Sequence, residues 1–88
     1  MRQIIIALSL GAVFWSSAIA AQKCNVAMAD WKPRETLQAR LEEEGWTVHT
    51  IKPEDGCYDA YAINPQGKEV EAYFDPQTLQ SVDIKVED

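Results

Sequence analysis

The contiguous stretch CYDAYAI (residues 57–63), NPQG (64–67) and KEVEAYFD (68–75) decides the fold. Its two flanks read as strands, and the four residues between them are turn formers. Asn64-Pro65-Gln66-Gly67 suits a type I turn followed by Gly67 in the left-handed region as a bulge. Asn64 then opposes Lys68, so Tyr58, Ala60 and Ala62 face Phe74, Ala72 and Val70, and one face of the hairpin is wholly apolar. The other face carries Asp59, Tyr61 and Ile63 opposite Tyr73, Glu71 and Glu69. A plain two-residue loop would set Ala60 against Glu71 and Asp59 against Ala72. One residue of slip exchanges inside for outside, so the bulged register is the better solution. The small Ala60 and Ala72 leave room for a helix at the centre of the apolar face.

Toward the N-terminus, Pro53-Glu54-Asp55-Gly56 is a turn by composition, and Trp46 to Lys52 reads as a strand with Trp46, Val48 and Thr50 on one side. Arg34 to Glu44 is rich in helix formers. Pro33 suits the first helical turn and Gly45 the position just past the last one. Leu37 and Leu41, four apart, make a narrow apolar stripe, so this helix covers one side of something else. Glu42-Glu43-Glu44 sits at the negative end of the helix dipole, with Arg40 placed to offset it through Glu43 and Glu44. Toward the C-terminus, Asp75-Pro76-Gln77-Thr78 is a further turn. Val82, Ile84 and Val86 then alternate with Asp83, Lys85 and Glu87, the period of a half-buried strand. The class is α+β: one helix packed on an antiparallel three- to four-stranded meander sheet.

The 88 residues hold at most one small domain, and the first 20 read differently from the rest. Arg2 precedes an uncharged run from Ile4 to about Trp15, small residues follow, and Ala18-Ile19-Ala20 offers a cleavage site. That is the layout of a secretory signal peptide over residues 1–20; an uncleaved anchor is the alternative, since Gln3 to Gln22 is just long enough to span a bilayer. Residues 21–30 are expected to form an extended arm and residues 31–88 the domain. Without Arg2 the remainder has 7 basic against 14 acidic side chains. An acidic surface excludes nucleic acid as a partner and disfavours anionic membranes. No later segment is long and apolar enough for stable membrane insertion once the leader is cut. The expected location is periplasmic or secreted, and a monomer is expected.

So short a chain rarely draws more than about 3–5 kcal/mol from its core, and a staple is expected. Cys24 and Cys57 supply one, because an exported protein meets an oxidising compartment and two cysteines allow a single intramolecular pairing. Neither a C-x-x-C redox motif nor zinc-ligand spacing is present, and Lys23 beside Cys24 does not suit a lipoprotein signal.

Trp31-Lys32-Pro33-Arg34, Leu37 and Leu41, Gly45-Trp46, Val48 and Ile51, Gly56-Cys57-Tyr58, Gly67, and Val70-Glu71-Ala72-Tyr73-Phe74-Asp75-Pro76 together resemble the PepSY domain. The likeness runs from Cys24 to about Val82 and is closest to short, exported, single-domain PepSY proteins of Gram-negative bacteria. Leu79 departs from it, standing where many relatives place glycine. The resemblance implies one helix against an antiparallel sheet and a task in restraining or modulating peptidases, since PepSY units occur in propeptides of secreted metallopeptidases. It also implies an alternative, a periplasmic accessory of a membrane cytochrome b or a two-component sensory system. It assigns no catalytic residue.

The residues themselves suggest a binding module rather than an enzyme. No nucleophile–base order and no phosphate loop is present. His49 reads as an ordinary surface histidine, no metal or cofactor is expected, and Asp59, Glu69 and Glu71 read as solvated carboxylates on a flat sheet. Tyr61, Ile63 and Tyr73 among the carboxylates Asp59 and Glu71 are the candidate partner-binding residues, since aromatics on a polar surface anchor protein or peptide partners. The competing reading is that the disulfide draws the arm across this face and covers it. Trp31 and Trp46 are expected to close the core at the two ends of the helix. An exposed sheet edge, finally, can accept an extended peptide by strand addition.

Overall fold

A computed structural model describes residues 22–87, so the leader expected over residues 1–20 lies outside it. The order is a single 3₁₀ turn (Met28–Asp30), α1 (Arg34–Glu43), β1 (Thr47–Glu54), β2 (Cys57–Ile63), β3 (Glu69–Phe74) and β4 (Ser81–Val86). The strands form one antiparallel sheet in chain order, β1-β2-β3-β4. This is the α+β meander expected, with all four strands present. The 3₁₀ turn interrupts the arm read as extended.

The central hairpin has the register that its turn dictates. Tyr58 pairs with Phe74, Ala60 with Ala72 and Ala62 with Val70, while Asp59, Tyr61 and Ile63 oppose Tyr73, Glu71 and Glu69. Gly67 has φ +84°, and its N–H donates to the Asn64 carbonyl while the Asn64 N–H donates to the Lys68 carbonyl, both at 2.9 Å. The apolar face is fully buried at Ala60 and Ala72, where α1 lays Leu37 and Leu41 against Ile51, Tyr58, Val70, Phe74 and Leu79.

α1 ends at its glycine. The Gly45 N–H reaches the Glu42 carbonyl (3.1 Å) and the Trp46 N–H the Leu41 carbonyl (2.9 Å), a Schellman closure with Gly45 at φ +98°. Pro33 sits one position earlier than expected, at the N-cap. Arg40 does not pair with Glu43 or Glu44; its guanidinium donates to the Thr78 carbonyl (3.3 Å), tying the helix end to the β3–β4 turn. The tryptophans close the core as expected, Trp31 edge-on to Tyr58 (5.1 Å between centroids) and Trp46 edge-on to Phe74 (6.1 Å).

β1 departs from the reading in two respects: it takes in Pro53 and Glu54, read as turn, which pair with Tyr58 and Cys57, and it carries a bulge. Val48 pairs with Ala62 but Thr50 with Tyr61 and Ile51 with Ala60, because His49 is an extra residue in the strand. Val48 and Ile51 therefore both lean toward the helix, and Thr50 is carried to the opposite face from Val48. His49 itself is exposed. The β3–β4 turn carries a second irregularity. Asp75 Oδ1 accepts the N–H groups of Gln77 (2.8 Å) and Thr78 (2.9 Å), and Leu79 takes φ +65°. Its side chain is 5% exposed in the main core, and that burial offsets the conformational cost.

Candidate functional site

The face of the sheet away from α1 divides into a covered part and an open part. A disulfide joins Cys24 to Cys57. It brings the arm against the β1–β2 turn, where the Cys24 N–H donates to the Asp55 carbonyl (3.3 Å). Gly56 at φ +77° lies so close beneath that a Cβ there would collide with the Cys24 carbonyl. From this anchor Lys23 reaches over the Tyr73 ring (5.0 Å) and pairs with Asp83 (3.2 Å). Cys24, Cys57 and Tyr73 form a second, small apolar cluster.

Asp59 and Tyr73, expected on an open surface, are instead buried at 1% and 7% exposure. At Tyr73 the arm supplies the cover, through Lys23 and Cys24. Tyr61, Ile63 and Glu71 remain half-buried beside them. Glu71 Oε2 accepts both phenol O–H groups, from Tyr61 and from Tyr73, each at 2.9 Å. Asp59 Oδ1 has no hydrogen-bond partner among the described residues. Burial, and then the adjoining Glu71 carboxyl, push the Asp59 carboxyl up to about 7. Burial raises Glu71 as well, but hydrogen bonds from Asp59, Tyr73 and Tyr61 outweigh it and hold Glu71 below its ordinary value. The pair thus keeps one proton on Asp59 and one charge on Glu71. The same bonds raise both tyrosines, Tyr61 to about 12. The solvated carboxylates expected here are, at Asp59, a buried acid. A flat cluster whose hydrogen-bonding capacity is turned inward is suited to holding the arm in place rather than to proton transfer.

The other candidate region lies at the opposite edge. Between the C-terminal end of α1 and β4 an open groove of about 490 Å³ is lined by Leu41, Trp46, Phe74, Leu79 and Ile84, with Arg40 and Glu44 at its rim. Along its outer lip Val82, Ile84 and Val86 are 48%, 44% and 54% exposed, against 2% for Val70. Val70 pairs with Val86 and Ala72 with Ile84, so Ile84 and Val86 belong to the apolar face, beyond the reach of the helix, while Val82 is the unpaired extra residue of the strand. Sequence reasoning took this row as half-buried. The signal against that was the narrow Leu37–Leu41 stripe, since a helix about 10 Å across covers roughly two strands spaced about 4.8 Å apart.

Among the described residues no cluster of metal-ligating side chains is found, and no helix is long and apolar enough to cross a membrane. A family model described as peptidase propeptide and YPEB domain matches residues 4–85. The chain belongs to that PepSY family. The match extends beyond the Cys24–Val82 stretch that carried the resemblance. PepSY domains generally serve as propeptide or regulatory modules rather than as catalysts. Comparison with curated proteins and with solved structures gave no match.

Proposed function

We propose that this PepSY protein is an exported, non-catalytic module that binds and restrains an extracytoplasmic protein, a peptidase foremost, by receiving an extended segment of it along β4 and the adjoining groove. The observation that carries this reading is the row Val82, Ile84 and Val86, left uncovered on a terminal strand of the sheet beside an apolar groove. An unpaired edge offers backbone bonds to an incoming strand, and alternate side chains find pockets on one face only. The family's description as a peptidase propeptide domain supports a peptidase as the partner. The tyrosine face is the less suited contact, because Tyr73 lies under the arm and Asp59 is buried.

The test is hydrolysis of a protein substrate by a secreted metallopeptidase, titrated with the disulfide-bonded chain. Slowed hydrolysis is expected, with the apparent affinity reduced at least about tenfold by the pair Ile84→Lys and Val86→Lys and unchanged by Tyr61→Ala. A chain that leaves the peptidase unaffected overturns the peptidase partner. Loss on Tyr61→Ala with none on the β4 pair overturns the choice of surface.

A further inference from the structure

The geometry points to a second copy of this chain as an occupant of the β4 edge, the two β4 strands pairing antiparallel about a two-fold axis at Ile84. The backbone limits the choice of register. The Glu87 N–H donates to the Glu69 carbonyl (2.8 Å), and in an antiparallel ladder the direction of these groups alternates. Lys85 therefore also turns its backbone toward β3, while Ile84 and Val86 turn theirs to the free edge. A two-fold pairing must use those outward groups; an axis at Val86 would also set Lys85 against Glu87 but would engage only the last residues of β4, so charge and overlap together place the axis.

An axis at Asp83 would set Asp83 against itself. An axis at Lys85 would set Lys85 against itself and Asp83 against Glu87. With the axis at Ile84, Ile84 exchanges both backbone bonds with its own counterpart, and Asp83 of each copy stands opposite Lys85 of the other. Those two contacts are opposite-charge pairs at positions without ladder bonds, where cross-strand side chains approach most closely. On the helix side the same register sets Val82 against Val86 and Ile84 against Ile84, joining the two exposed rows into one apolar strip between the two helices. The β4 edge is thus complementary to itself in charge and in shape, as an isologous contact requires. The bulge that places Val82 between the residues paired with Phe74 and Tyr73 limits the ladder at each end. The sheet of the pair runs continuously over eight strands.

This goes beyond the proposed peptidase reading and does not depend on it. If both hold, a partner segment and a second copy compete for one strand. It stands as the alternative to the monomer expected from the sequence.

The experiment measures mass against concentration by sedimentation equilibrium on the disulfide-bonded chain, without any partner, up to ~1 mM at about 0.15 M salt. A concentration-dependent dimer is expected. Lys85→Asp sets Asp83 against an aspartate in both contacts and weakens the dimer at least about tenfold. Because Asp83 also pairs with Lys23 (3.2 Å) and Lys85 also lies near the Tyr73 ring (5.9 Å), the swapped double variant Asp83→Lys with Lys85→Asp, which keeps both losses while restoring opposite charge across the contact, is the control, and it restores dimerisation. The single variants Asp83→Lys and Lys85→Asp, mixed, pair with each other and not with themselves. A wild-type chain that stays monomeric to the highest concentration overturns the inference. So does a dimer of equal strength in the wild type, the single and the double variants, which would use another surface.

Discussion

The two terminal strands of this sheet are treated differently. β1 carries Pro53, which lacks a backbone donor, and the guanidinium of Arg34 reaches the Ile51 carbonyl at 3.4 Å. Its apolar residue Ile51 is buried under α1. Proline, an unpaired extra residue such as His49 and a long charged side chain over the backbone are common ways to close an edge against strand addition. β4 shares only the extra residue, at Val82; it has no proline, and its apolar row is open. A chain that protects one edge in several ways and leaves the other bare is built to be met on one side. The neighbouring strands β2 and β3 are covered by α1 on one face and, around Cys57 and Tyr73, by the stapled arm on the other, and stability should concentrate there.

The largest way to break this contrast is to release the arm. Replacing Cys24 and Cys57 together by serine removes a cross-link that closes 34 residues of loop, worth about 3.5–4 kcal/mol in the chain-entropy model. Urea unfolding should lose that amount, and the same loss should appear on reducing the wild type. Edge pairing at β4 is expected to survive in whatever fraction stays folded, which separates the two regions.

A smaller effect sharpens the covered side. Folded Asp59 holds its proton to about pH 7, while an unfolded aspartate releases it near ~4. The folded state therefore binds more protons between these values, and the contribution of Asp59 to stability falls as pH rises from about 4 to about 7, then levels off. Glu71, held low, acts in the opposite sense, its contribution being lost only as pH drops through its depressed folded value. Asp59→Asn keeps a hydrogen-bond donor facing Glu71 without the ionisation. It should be more stable than the wild type above pH 7, by about 1–2 kcal/mol, with the gap closing toward pH 4. Thermal melts across that range read the difference, and a gap that widens toward acid would refute the buried acid.

The smallest effect belongs to the open side. At concentrations where the chain is monomeric, Ile84→Thr should change unfolding free energy by less than about 1 kcal/mol, because its side chain is 44% exposed, whereas Leu37→Ala, fully buried, should cost about 2–5 kcal/mol. Similar losses at the two positions would mean that Ile84 is already covered.

Much of this was legible in the residues. Gly67 fixed the hairpin register, Pro33 and Gly45 bounded the helix, and the alternation of Cys57–Ile63 against Glu69–Phe74 separated the two faces. The extra residue in β1 was not legible, because His49 has no special backbone requirement and only pairing with β2 reveals that Val48 and Ile51 share a side. The burial of Asp59 was hidden for a different reason. A carboxylate on a strand reads as solvated unless its neighbours across the sheet are known, and here Glu71, from the adjoining strand, lies beside it. The open row on β4 was misread because alternation reports which side a residue faces, not whether anything lies over it.

The link between sulfurs at positions 24 and 57 also has a consequence in time. Most of what secures the arm is created by oxidation after synthesis, so a reduced copy lacks both that constraint and the hold of Lys23 and Cys24 on Tyr73. A disulfide persists only where the surroundings are oxidising, so the chemistry of the place in which the chain folds itself completes the molecule.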